Sequence, residues 1–108
     1  MKKKDVIKPK EEFNDLIKNG KFIKNNEFVI YYKENNLNKK RFGIAISTKL
    51  GKAVVRNKLK RQTREIIDKL NYFFKNNMDY IIMIRKGSLE TTFHDRIKNL
   101  ENILKEKL

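Results

Sequence analysis

Five consecutive apolar residues, Tyr80 to Ile84 (YIIMI), place the strongest demand on the fold. Such a run suits a β-strand buried on both faces, because successive side chains point to opposite sides and neither side is polar. A strand of that kind needs a covering layer above and below it. Two further strands read clearly. In Glu27 to Lys33 (EFVIYYK), Phe28, Ile30 and Tyr32 point one way while Val29 and Tyr31 point the other. In Arg41 to Ser47 (RFGIAIS), Phe42, Ile44 and Ile46 share one face, and Gly43, Ala45 and Ser47 line the opposite one. That second face is shallow. Its small side chains can admit a packed helix or leave a groove for a ligand, and the helix is the commoner outcome.

Helical periodicity supplies the covering layers. After Pro9, a residue tolerated in a first helical turn, Phe13, Leu16 and Ile17 fall on one face, and Gly20 reads as the stop. A turn centred on Gly51 precedes a long helix expected from about Ala53 to Asn71. A third helix starts near Thr91 or Thr92, with Asp95 three residues after Thr92 as in a capping box. Its buried stripe is Phe93, Ile97, Leu100 and Leu104, and the lysines at its end suit the helix dipole. The order is therefore helix, strand, strand, helix, strand, helix. This is an α+β class chain, a single-domain sandwich of a central, mostly antiparallel sheet packed with helices. A short extra strand around Gly20 to Lys24 is only weakly signalled.

The 108 residues fit one domain, residues 1–108, with one site-bearing core. Lys and Arg number 27 against 13 Asp and Glu, a formal charge of +14. Self-repulsion of that size favours a polyanionic partner, although composition alone fits a Lys-rich soluble protein equally well. Hydrophobic residues make up 39% of the chain and recur periodically, which argues against disorder. With no Cys, disulfides, thiolate metal sites and cysteine nucleophiles are excluded. The charged segment from Met1 to Lys10 has no apolar signal core, and no later run is long enough to cross a bilayer, so a cytoplasmic protein is expected.

The expected long helix carries the sharpest functional signal. Val55, Leu59, Ile66 and Leu70 form a narrow apolar stripe that should pack on the sheet. Arg56, Lys60 and Arg64 form one outward column, with Asn57 and Arg61 beside it. Like charges at these spacings repel, and basic residues near a helix N-terminus oppose its dipole. A solvated charged face is the ordinary reading of a Lys/Glu helix. Here acids are nearly absent before Glu65, and arginine, suited to bidentate phosphate contacts, supplies three of the charges, so nucleic-acid binding is favoured. The columns extend about 12 Å along the axis, comparable with two phosphate spacings.

Catalytic chemistry finds little support. His94 is the only histidine and has no identifiable nucleophile or orienting partner, so it reads as a surface or capping-turn residue. Asp and Glu are scattered without a paired metal motif, which leaves protein-only two-metal hydrolysis unsupported.

The segment KLGKAVVRNKLKRQTRE, Lys49 to Glu65, resembles the signature of the bacterial ribonuclease P protein component, through Lys49, Gly51, Ala53, Val54, Arg56, Asn57, Lys60, Arg61 and Arg64. Lys52 stands where Asn is usual and Lys58 where Arg is usual, and a lysine cannot reproduce the planar guanidinium fork. EEFNDLIKNGK, FVIYY and DYIIMIRKG extend the resemblance over most of the chain. The resemblance implies a left-handed β-α-β crossover, against the general right-handed rule. It also implies a subunit of an endoribonuclease that removes the 5′ leader from precursor tRNA. In that family the large ribonuclease P RNA holds the catalytic Mg²⁺ and performs the hydrolysis. No catalytic residue and no metal ligand is then expected in the protein. Lys52, Arg56, Asn57, Lys58, Lys60, Arg61 and Arg64 would bind the RNA subunit. Phe13, Ile17, Tyr31, Ser47 and Lys49 would line a central cleft for the single-stranded leader of precursor tRNA. Ile17 stands where many members have a second Phe, so one stacking surface is lost. From the residues alone, Phe13 reads as readily as core, and Tyr31 as a cover for the sheet.

A ribosomal or RNA-chaperone protein would explain the charge and the basic helix, though not the detailed Lys49 to Glu65 pattern. A membrane surface would want exposed bulky apolar residues, whereas Val55, Leu59 and Ile66 are expected inside. DNA is not the expected partner, although charge alone does not discriminate it. Nothing in the sequence sets the oligomeric state.

Overall fold

The computed structural model describes Ile7 and residues 10–107; Pro9 and the segment from Met1 to Val6 lie outside the described residues. Helix α1 (Lys10–Asn19) leads into strand β1 (Lys21–Lys24), β2 (Phe28–Glu34) and β3 (Arg41–Ile46). Helix α2 (Ala53–Lys69), strand β4 (Met78–Ile84) and helix α3 (Phe93–Lys107) complete the chain. The weakly signalled extra strand is thus present as β1, and both long helices fall within two residues of their expected bounds.

The sheet runs β1-β2-β4-β3, with the β1/β2 and β2/β4 pairs antiparallel and the β3/β4 pair parallel. The parallel neighbours β3 and β4 are joined through α2, which makes a β-α-β unit inside an otherwise antiparallel sheet. β4 takes a central place, as its apolar run requires: Tyr80, Ile81, Ile82 and Ile84 are all buried. Met83 is half-buried.

Alternation divides the core in two. One face carries Phe28, Ile30, Phe42, Tyr80, Ile82 and Ile84, covered by Leu59, Ile66, Ile67 and Leu70 of the α2 segment and Leu100 and Leu104 of α3. Phe42 stacks on Tyr80 with ring centroids 5.6 Å apart, and Phe74 packs edge-on against both rings. The other face carries Ile81, with Tyr31 and Ala45 beside it, covered by Ile7 and by Phe13, Leu16 and Ile17 of α1. The shallow face of β3 therefore takes a packed helix: a Cβ built on Gly43 would come 2.5 Å from Cε2 of Phe13.

The ends of the helices follow local chemistry. Thr92 Oγ1 accepts from the Asp95 amide at 3.1 Å and caps α3, as the Thr-x-x-Asp spacing predicts. His94 is exposed in the first turn of that helix. Thr63 and Ile67 of α2 are fully buried without having figured in its expected stripe; the Thr63 hydroxyl donates to the Leu59 carbonyl at 2.7 Å, which lets it sit in the core.

One expectation is corrected. Val55 is 39% exposed and does not pack on the sheet. The buried residues of α2 begin only at Leu59, and the first turn abuts the Gly51 loop, with Val55 Cβ 3.6 Å from where a Gly51 Cβ would stand. Val54, in the same turn, is more exposed still. Burial thus withholds Leu59 and Ile66 from any surface contact, but not Val54 and Val55.

Candidate nucleic-acid interface

The basic surface is built by the way α2 starts. Gly51 adopts φ 146°, in the region that favours glycine, and turns the chain out of a short 3₁₀ turn, Thr48–Leu50, into the helix. Lys52 occupies the N-cap with no side-chain cap, and no acid stands in the first turn. Both features leave the positive end of the helix dipole reinforced instead of neutralised. Asn57, Lys58, Arg61 and Arg64 are exposed, and Arg56 and Lys60 are half-buried. Arg56 Nε donates to the Gly51 carbonyl at 3.1 Å, so its guanidinium is held against the loop at the head of the column. The helix's only acids, Glu65 and Asp68, come after the basic set. All seven residues expected to face an RNA subunit therefore lie at the N-cap or on the surface of one helix, away from the buried face of Leu59, Thr63, Ile66 and Ile67.

The second surface lies on the face of the sheet that α1 covers, and register defines it. Phe22 pairs with Tyr31, Tyr31 with Ile81, and Ile81 with Gly43, giving one row across all four strands. On one side of it the next row on the same face is charged: Lys33, Asp79 and Arg41. On the other side the row is Lys24, Val29, Met83 and Ala45.

Helix α1 closes the charged side with its acids. Arg41 reaches Asp79 through Nε at 2.8 Å and Nη2 at 2.7 Å, and Glu12 of α1 accepts from Nη1 at 3.2 Å. Asp79, with the Glu12 carboxylate, holds the Arg41 guanidinium above its ordinary pKa against the opposing effect of burial. Asp15 of α1 accepts from Lys33 Nζ at 2.9 Å, and that contact first, then the Asn19 amide, lowers the pKa of its carboxyl. Glu12, Asp15 and Asp79 are thereby committed to cations on the charged side.

The opposite side stays open. Val29, Met83 and Ala45 are half-buried and Lys24 is exposed, so this row forms the floor of a shallow trough. Phe13, Ile17 and Tyr31, all half-buried, stand beside it in one apolar cluster with Leu16 and Ile81. Ser47 and Lys49 lie past the end of β3, both exposed, with Ser47 Oγ accepting from the Lys49 amide at 3.2 Å. The structure thus brings Phe13, Ile17 and Tyr31 together and sets Ser47 and Lys49 on the turn that leads into α2. Lys24, Val29 and Met83 were missed from the sequence because only the strand register places them in one row. Phe22, 56% exposed with its ring 5.9 Å from Tyr31, was missed because β1 is only four residues long.

A cavity of about 640 Å³ lined by Lys21, Tyr32, Lys33, Lys75, Met78 and Tyr80 opens beyond the charged row, remote from the trough. Among the described residues no three His, Cys, Asp or Glu side chains gather as a metal-binding group. No helix among them is long and apolar enough to cross a membrane.

Known proteins resemble the chain in both sequence and fold. The family model for ribonuclease P matches residues 1–107. The chain is 42% identical over 107 residues to a ribonuclease P protein component of Mycoplasma mycoides subsp. mycoides, covering 98% of each chain. Its fold superposes on the RNase P protein of Thermotoga maritima with a TM-score of 0.84 at 32% identity, over 95% of this chain and 97% of the other. A Staphylococcus aureus RNase P protein gives 0.83 at 34% identity, over 94% and 93%. With its basic helix, its four-stranded mixed sheet and a match along its whole length, the chain belongs to the ribonuclease P protein family.

Proposed function

We propose that the chain works as the protein subunit of ribonuclease P, assisting an RNA subunit in the endonucleolytic removal of the 5′ leader from precursor tRNA. The observation that carries this reading is the separation of two surfaces on one small domain. The outward face of α2 is basic and rigidly mounted, while the trough under α1 is apolar and aromatic with lysines at its margins.

Each surface suits a different part of the substrate complex. Arginines and lysines on a helix match the phosphate backbone of a folded RNA, with affinity drawn from counterion release. Lys52, Arg56, Asn57, Lys58, Lys60, Arg61 and Arg64 take that role. A shallow floor with aromatic neighbours suits unpaired bases, which stack on π-faces without being read edge by edge. Phe13, Ile17, Tyr31, Ser47 and Lys49 take that role for the leader, with Ile17 giving apolar contact in place of a ring. The loop from Ser47 to Lys52 joins the two surfaces, so leader and RNA subunit meet at neighbouring points of the protein.

Catalysis in this reading belongs to the RNA. Glu12, Asp15 and Asp79 are engaged with Arg41 and Lys33. As the family resemblance implies, Mg²⁺ is assigned mainly to the RNA subunit, and the protein binds, orients and neutralises. A protein acting on precursor tRNA in a bacterium would work in the cytoplasm.

Cleavage of precursor tRNA by the cognate RNA at limiting Mg²⁺, with and without the protein, tests the reading. Faster leader removal and tighter precursor binding, both absent without RNA, support it. No enhancement despite demonstrated RNA binding would favour a ribosomal or chaperone role. Cleavage by the protein alone would overturn the division of labour.

A further inference from the structure

Phe22 has no packing role that explains its place. It lies on the edge strand, 56% exposed, between Lys21 and Lys24, while its neighbour Ile23 turns into the core. A large apolar side chain on an exposed edge strand is a liability for pairing with other chains, and basic flanks are one way such an edge is kept soluble. Register puts it directly across from Tyr31, and cross-strand partners share a face of the sheet. The two rings lie 5.9 Å apart at an interplanar angle of 47°. They do not stack on each other, and the exposed Phe22 keeps a π-surface available. The trough floor beside this row, from Ala45 to Lys24, crosses three strand spacings, or roughly 14 Å, enough for two to three extended nucleotides, and Phe22 stands at its β1 end.

We propose that Phe22 is an additional base-stacking residue, which extends the leader track beyond Tyr31 onto β1 and offsets the ring missing at Ile17. The ligand is an unpaired RNA base, with Lys24, two residues further along β1 and on the same face of the sheet, placed to meet an adjoining phosphate. A base and a phosphate are what an exposed ring beside a cation on the same face fits. A protein partner would instead use the free strand edge through backbone hydrogen bonds, which requires no aromatic at this position. The inference rests on the reading of the trough as the leader site.

The test uses the protein assembled with its cognate RNA and a series of precursor tRNAs whose leaders grow one nucleotide at a time. Phe22→Ala should weaken binding about tenfold once the leader is long enough to reach β1, a loss within the range of one base–aromatic stack. It should leave mature tRNA and the shortest leaders unaffected, and Phe22→Tyr should restore the affinity. Circular dichroism of the variants separates this from misfolding, which the exposure of Phe22 makes unfavoured. Equal affinity of Phe22→Ala and the parent at every leader length, with Phe13→Ala and Tyr31→Ala still impaired, would overturn the role of Phe22 alone. Leader dependence equal to the parent's in all three variants would overturn the trough itself. Clustering of the parent protein without RNA that Phe22→Ala abolishes, with leader affinity intact, would assign the ring to self-association instead.

Discussion

The ring of Phe13 fills the space that a side chain at Gly43 would need. A Cβ on Gly43 would approach its Cε2 to 2.5 Å, so the absence of a side chain on β3 sets the depth at which the aromatic of α1 rests. Helix position, trough shape and glycine are therefore one feature.

Gly43→Ala should push the Phe13 ring outward, because a half-buried ring yields more readily than the backbone of a sheet strand beside β4. Overpacking of this kind costs about 1–3 kcal/mol. The expected result is a modest fall in the denaturation midpoint and a larger change in preference for leader-bearing over mature tRNA, with RNA-subunit assembly preserved. An unaltered preference alongside lowered stability would restrict Phe13 to packing.

Removing the charge of the α2 column acts on the other surface. Arg56, Lys60 and Arg64 replaced together by Ala should weaken holoenzyme assembly and flatten its salt dependence, by up to about one unit of log–log slope per lost phosphate contact. The fold should survive, since the helix is held by Leu59, Thr63, Ile66 and Ile67, all buried on the opposite face. Salt titration of assembly measures it, and an unchanged slope would remove this face from the RNA interface.

Much of this was legible in the sequence, and for identifiable reasons. Period-two patterns in β2 and β3 and the apolar run of β4 are local signals, and they set three strands and their inward faces correctly. The basic column also survives intact because i, i+4 spacing is a property of the helix alone. What failed depends on where elements end relative to each other. Val55 has the right helical phase for burial, yet the first turn of α2 stands over the Gly51 loop, and no phase argument shows that. Phe74, packed against Phe42 and Tyr80, comes from a connection with no periodicity at all. The trough floor of Lys24, Val29, Met83 and Ala45 exists only through the register of four strands, and strand order is not written in any one of them.

The charged row carries its own prediction. Asp79 accepts from Arg41 at two oxygens and from Asn35 Nδ2 at 2.7 Å, with the residue 8% exposed. Asp79→Ala leaves a largely buried guanidinium with Glu12 as its remaining acid partner, and breaking such a pair costs about 3 kcal/mol or more. Urea denaturation should show that loss. Replacing Glu12, whose contact with Arg41 is longer and more exposed, should cost under about 1 kcal/mol. Equal effects from the two would mean that α1, and not β4, is the principal anchor of Arg41.

Tyr80 gives the fold a definable alkaline limit. Burial raises its pKa above the ordinary 10.0; the amide of Lys75, which donates to the phenol oxygen at 2.9 Å, opposes this, and Tyr32 adds to it. The folded chain therefore holds this proton more tightly than the unfolded chain. Above pH 10.0 the unfolded state binds fewer protons, so the contribution of Tyr80 is complete below that pH and is lost as pH rises through the raised value. Tyr80→Phe keeps the ring and its contacts with Phe42 and Phe74, but leaves the Lys75 amide without its acceptor, a loss of about 1 kcal/mol at neutral pH. Measured by urea denaturation at pH 7 and at steps above pH 10, the parent's advantage over the variant should shrink as pH rises. Comparing the two proteins at each pH cancels the lysines and the other tyrosines that titrate in the same range. A gap that stays constant across the series would mean that the Tyr80 hydroxyl ionises in the folded protein as it does in the unfolded chain.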